Sequence, residues 1–165
     1  MSQDEIESLA ADVGRRLLAK GLRVATAESC TGGLVSGAIT AIAGSSDWFD
    51  RGFVTYSNAA KHELLGVGDA VLRAHGAVSE ATAIAMAKGA LKRSNAQLTV
   101  AVTGVAGPAG GTPGKPVGMV CFAWARKDGA IASATHRLKG DRTEVRRASV
   151  AIALRGLIDA VEIEE

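Results

Sequence analysis

The chain's sequence pattern predicts an α/β fold. The expected form is a single three-layer α/β/α domain over residues 1–165, with a mixed, mainly parallel sheet closed by a C-terminal β-hairpin. Three observations predict it. Segments with helically spaced apolar residues alternate with short β-prone runs, the order that builds a sheet between helical layers. Two late β-prone runs flank Asp128-Gly129, a strong hairpin signal. A length of 165 residues fits one domain better than two, since domains cluster at about 100–150 residues.

The elements follow in order. Ser2 and Glu5 have capping-box spacing, Ile6, Leu9, Ala10, Val13 and Leu17 recur at helical intervals, and Gly21 stands where a helix end wants positive φ. Residues 22–27 read as a strand and residues 31–43 as a small-residue helix beyond a sharp turn. A second strand is expected over 53–56, then short helices over 59–65 and 69–74. Ser79 caps a helix over 80–93, and residues 98–103 form a β-prone run bounded by Gly104. The loop 105–116 holds four Gly and three Pro in twelve residues. Strands over 117–125 and 130–138 complete the sheet. Asp141 with Glu144 opens the last helix, striped by Val150, Leu154, Leu157, Ile158 and Val161.

Composition narrows the function. Six aromatics (Trp48, Phe49, Phe53, Tyr56, Phe122 and Trp124) are too few and scattered for a base-stacking surface. A balance of 19 basic against 17 acidic residues, net +2, lacks the surplus of a duplex binder. No nucleic-acid partner is expected. The uncharged runs 29–46 and 94–114 are broken by Gly, Ser, Thr and, in the second, Pro, so neither meets the roughly 20 mainly apolar residues of a membrane span. The acidic, polar start MSQDEIESLA reads as neither signal nor transit peptide. Cys30 and Cys121, the two cysteines, read as free thiols of a reducing, cytoplasmic setting.

Chemistry concentrates in three glycine-bearing or polar turns, each after an expected strand: Glu28-Ser29-Cys30-Thr31-Gly32-Gly33; Thr55-Tyr56-Ser57-Asn58 with Lys61 beyond; and Thr103-Gly104 leading into the glycine loop. In open α/β sheets ligands bind beyond the carboxyl ends of the strands, so parallel strands would bring all three turns together. A serine between a strand and a helix start sits beside unpaired N–H groups and the positive end of the helix dipole, which suits an oxyanion. The same pattern also describes a plain capped helix in which Ser29 or Thr31 satisfies an N–H. Cys30 is a rival nucleophile at the same turn.

A serine nucleophile needs a base. His62, His75 and His136 stand in contexts of exposed helix or strand positions without metal-ligand spacing, so no metal site and no cofactor are expected. Lys61 is the better base, provided its pKa falls from about 10.4 towards 7–8, roughly 4 kcal/mol of burial and nearby charge. Glu63 argues against this unless it points outward, and a solvated helix lysine is the bland reading. The glycine loop fails the phosphate-loop pattern twice, since Gly114-Lys115 is followed by Pro116 and Ala109 stands where the first glycine belongs. It reads either as an N–H cradle for phosphate or as a lid. Arg142 and Arg146, one turn apart, read either as an anion-binding pair or as a solvated basic face.

Taken together, AESCTGG at 27–33, VTYSN at 54–58 with Lys61, GAVS at 76–79, TGVAGP at 103–108 and GDR at 140–142 resemble the CinA C-terminal family, of which nicotinamide-nucleotide amidases are the characterised members. The resemblance spans essentially the whole chain. It implies hydrolysis of the carboxamide of nicotinamide mononucleotide to nicotinate mononucleotide and ammonia, in pyridine nucleotide salvage, by a stand-alone amidase domain. By match to the family motifs it implies Ser29 as nucleophile, Lys61 as general base and Tyr56 as an orienting or proton-relaying group. The N–H groups of Cys30, Thr31, Gly32 and Gly33 would hold the oxyanion, Thr103 and Gly104 would line the pocket, and Arg142 would meet the 5′-phosphate. It also implies a homo-oligomer. A non-catalytic pyridine-nucleotide-binding or sensing module, using the same loops without turnover, is the alternative.

Overall fold

A computed structural model describes residues 2–163, and within them the chain forms six helices and a five-stranded sheet. In order these are α1 (Gln3–Lys20), β1 (Val24–Glu28), α2 (Leu34–Thr40), β2 (Phe49–Val54), α3 (Asn58–Leu65), α4 (Asp69–His75), α5 (Glu80–Lys92), β3 (Leu98–Gly104), β4 (Met119–Arg126), β5 (Ile131–Arg137) and α6 (Arg142–Val161). The caps read from sequence are the caps that form. The Ser2 hydroxyl accepts from the Glu5 N–H, Gly21 ends α1 at φ 65°, and Asp141 with Glu144 makes a reciprocal capping box on α6.

The strand order is β2-β1-β3-β4-β5. β1 runs parallel to β2 and to β3, whereas β3–β4 and β4–β5 are antiparallel. Four of the five strands therefore share a direction while the ladders divide evenly. The β4–β5 hairpin forms one edge of the sheet, and α6 follows it. Because β1, β2 and β3 are parallel, the turns after them leave from one end of the sheet, as the catalytic reading requires.

Strand alternation gives the two faces different cores. Val24, Val100, Val102, Phe122 and Trp124 pack with Leu17 of α1, Ile39 of α2 and Leu154 and Leu157 of α6. On the other face Ala27, Ala101, Cys121, Ala123 and Ala125 meet Ala83, Met86, Ala87 and Ala90 of α5 and Leu65 of α3. The helices thus form two layers around the sheet. The small residues let α5 approach closely. Gly89 allows the tightest contact, since a Cβ there would overlap the Leu65 carbonyl at the end of α3. The full burial of Leu65 adds about 1.5–3 kcal/mol to the seating of α3, the helix that carries Lys61.

Two elements differ from the sequence reading. The second strand, expected over 53–56, runs from Phe49 to Val54 because that whole segment pairs with β1, from Val24↔Phe49 to Glu28↔Val54. Thr55 and Tyr56 lie in the turn that follows. The second helix, expected over 31–43, starts only at Leu34, because Gly32 (φ 57°) and Gly33 (φ 106°) are left-handed and cannot belong to a right-handed helix. In the glycine loop, Thr112 and Lys115 exchange backbone hydrogen bonds, and the Lys115 ammonium donates to the His75 carbonyl at the end of α4.

Candidate active site

The site is built where β1 ends. The Ser29 N–H donates to Val102 O (2.9 Å), extending the β1–β3 ladder by one residue before the chain turns through Gly32 and Gly33. Glu28, fully buried, anchors the turn. One carboxylate oxygen accepts from Thr31 Oγ1 (2.7 Å) and the Val35 N–H (2.9 Å), the other from the Ser36 N–H (3.0 Å) and Ser36 Oγ (2.9 Å). A carboxylate satisfies first-turn N–H groups of α2 that have no partner within the helix. Alternation along the strand then sends Ser29 to the opposite side from Glu28, towards α3.

The second turn is tied to the first by the Thr55 N–H, which donates to Glu28 O at 2.7 Å. Ser57 caps α3 by accepting from the Ala60 N–H, and one turn on Lys61 points back at the two turns. Its Nζ lies 2.9 Å from Ser29 Oγ, 2.9 Å from Thr55 O and 3.3 Å from Tyr56 O. Lys61 is 1% exposed and Ser29 7%. No carboxylate pairs with Lys61 among the described residues, and Glu63 points outward.

That environment sets the protonation chemistry. Burial pushes the Lys61 ammonium below the ordinary lysine value, outweighing the opposing effect of Cys30 as a thiolate. Burial also pushes the Cys30 thiol up to about 11, so it stays protonated near neutrality and is a poor nucleophile. A neutral lysine has two N–H donors and one lone pair. As an ammonium, Lys61 donates to Ser29 Oγ; in its neutral form, with both donors on the Thr55 and Tyr56 carbonyls, the lone pair is left for the Ser29 hydroxyl.

The remaining candidate residues divide by position. Gly32 donates to Ser29 O and Leu34 to Thr31 O, while the N–H groups of Cys30 and Thr31 find no oxygen acceptor among the described residues. The Thr31 hydroxyl is occupied by Glu28. Tyr56 meets the serine and the lysine through its carbonyl. The residue is 64% exposed, and its hydroxyl accepts from Arg142 Nη2 at 3.4 Å. Arg142 Nη1 also donates to Gly107 O (2.8 Å), joining the tyrosine to the glycine loop. Thr103 donates to Ala77 O (2.8 Å), and Gly104 pairs with Val120, so both have structural work. His62, His75 and His136 are exposed.

Two residues of the site have roles that the sequence does not show, and a third, Arg146, has targets other than the expected ones. Glu28 holds the turn, and a lone carboxylate between a strand and Thr-Gly-Gly is its one signal in the sequence. Thr55 acts through its carbonyl, which any residue would supply. Arg146 was grouped with Arg142, but its guanidinium donates to Cys30 O (3.1 Å, from Nε) and Thr31 O (3.3 Å, from Nη2) on the far side of the serine turn.

The fold and sequence that carry this site have known relatives. The chain belongs to the CinA C-terminal domain family, whose pattern matches residues 6–161. It is 53% identical over 154 residues to the nicotinamide-nucleotide amidohydrolase PncC of Enterobacter agglomerans, covering 93% of this chain and 94% of that protein. It is 50% identical over 157 residues to the protein of the same name in Escherichia coli K12, with 95% of each covered. A CinA-like protein of Syntrophobacter fumaroxidans is 50% identical over 149 residues, a match to 35% of that longer protein. The fold matches the crystal structure of the competence/damage inducible protein CihA from Agrobacterium tumefaciens with a TM-score of 0.94 at 51% identity, 96% of each chain covered.

Proposed function

We propose that this chain hydrolyses the carboxamide of nicotinamide mononucleotide, releasing ammonia and nicotinate mononucleotide, with Ser29 as nucleophile and Lys61 as general base. The observation that carries the reading is the 2.9 Å contact between Ser29 Oγ and a buried lysine that has no acidic partner among the described residues. The names of close relatives that match along nearly their whole length support the substrate.

Neutral Lys61 takes the Ser29 proton as Oγ bonds to the carboxamide carbon, giving a tetrahedral oxyanion. N–H groups of the turn at Cys30 and Thr31, beside the start of α2, stabilise that charge. The Lys61 ammonium returns the proton to the nitrogen as the C–N bond breaks, so ammonia leaves and a Ser29 ester remains. Water, deprotonated by Lys61, then attacks the ester carbon. Ser29 leaves with the proton, and nicotinate is formed. Tyr56 assists through its carbonyl, which holds the lysine, and through its ring at the rim. Three of the five guanidinium N–H donors of Arg142 remain after its two contacts, enough to meet a 5′-phosphate.

Ammonia release measured from nicotinamide, nicotinamide riboside and the mononucleotide tests the assignment. Turnover of the mononucleotide, with the other two far slower, is expected. Saturable binding of the mononucleotide without any release would identify a sensing module instead.

A further inference from the structure

Arg146 has no part in the proposed mechanism, and yet it touches the serine turn at two successive peptide groups. A trans peptide is planar, with its C=O and N–H pointing opposite ways. Fixing a carbonyl therefore fixes the N–H of the same unit. Arg146 Nε holds Cys30 O at 3.1 Å, so the Thr31 N–H is turned away from α6. Arg146 Nη2 holds Thr31 O at 3.3 Å, so the Gly32 N–H is turned the same way, where it closes on Ser29 O. At this level α6 packs on one face of the sheet and α3, which carries Lys61, on the other. Gly32 leaves room for this contact, as a Cβ there would lie 3.3 Å from the guanidinium.

We propose that Arg146 is a positioning residue for the oxyanion donors. From behind the turn it sets the direction of the Thr31 N–H, and its charge on the carbonyl polarises that N–H towards a stronger donor. The inference rests on the reading of Ser29 as nucleophile. It accounts for a half-buried arginine whose partners are backbone carbonyls and which forms no ion pair among the described residues.

The test compares wild type, Arg146→Lys, Arg146→Met and Ser29→Ala on nicotinamide mononucleotide and on its thioamide, in which sulfur replaces the carboxamide oxygen. Sulfur is a weak hydrogen-bond acceptor, so a thioamide gains little from an oxyanion hole. Arg146→Met is expected to lower kcat on the amide by about 10²-fold, the scale of one lost oxyanion donor, with KM within about threefold of wild type. On the thioamide the loss is expected to be at least tenfold smaller. Arg146→Lys, able to reach one carbonyl but not both, is expected to fall between, and it carries the comparison if the Met variant does not fold. Equal losses on the two substrates, in whichever variant folds, would reduce Arg146 to a structural support and overturn the proposal, as would unchanged kcat. Full turnover by Ser29→Ala would instead overturn the nucleophile assignment, and this inference with it.

Discussion

Replacing Glu28 by Gln tests how the serine turn is held, and the size of the effect follows from its hydrogen bonds. Both carboxylate oxygens are saturated by donors: Thr31 Oγ1 and the Val35 N–H on one, Ser36 Oγ and the Ser36 N–H on the other. A glutamine presents one oxygen and one NH2. In either orientation the NH2 faces a backbone N–H, at Val35 or at Ser36. The neighbouring hydroxyl can rotate to accept, but the N–H cannot and is left without a partner. One orphaned buried donor costs about 1–3 kcal/mol, and exchanging charged for neutral acceptors on the retained bonds costs roughly 1 kcal/mol more for each. Removing a buried charge offsets part of this. The net is about 3 kcal/mol, or a fall in Tm of about 6–12 °C for a chain of this size. Thermal and urea unfolding followed by circular dichroism read it directly. A loss below about 1 kcal/mol would refute the claim that Glu28 anchors the turn.

Other predictions concern the chemistry. In the proposed mechanism the neutral form of Lys61 is the active one, so kcat/KM is expected to rise with pH through the folded-state pKa and then level. Burial places that plateau below the ordinary lysine range, and initial rates between about pH 6 and 10 check it. Lys61→Arg, which cannot deprotonate, is expected to lose turnover across the same range. Cys30→Ala is expected to keep kcat within about fivefold, since burial pushes the thiol up to about 11 and disfavours the reactive thiolate, and thiol alkylation of the wild type should be slow. Arg142→Ala is expected to raise KM for the mononucleotide more than it lowers kcat, as steady-state kinetics would show.

The parts legible in sequence were those fixed by local rules. Capping spacing found both ends of α1 and the start of α6, and Asp128-Gly129 marked the hairpin between β4 and β5. The three polar turns were visible because Gly, Ser, Thr and Asn interrupt apolar runs, and parallel pairing of β1 with β2 and β3 did bring them to one end of the sheet. What failed to show depended on partners remote in the chain. Phe49-Asp50-Arg51-Gly52 has no strand alternation, and only the ladder with β1 makes it extended. Lys61 could be a solvated helix residue from its neighbours alone; its burial comes from the seating of α3 against α5 and from two carbonyls aimed at its amine. Helical spacing put Arg142 and Arg146 one turn apart, but their targets, the tyrosine rim and the back of the serine turn, are properties of the packed fold.

In the proposed reaction Ser29 attacks the carboxamide with Lys61 as its base. Ammonia release from nicotinamide mononucleotide by Ser29→Ala, set beside wild type and checked for folding by circular dichroism, tests it most directly. A fall of about 10⁴-fold or more in kcat with the fold retained is predicted, since the bond-forming atom is gone while the oxyanion donors and binding contacts remain. Turnover within about tenfold of wild type would exclude Ser29 as the nucleophile.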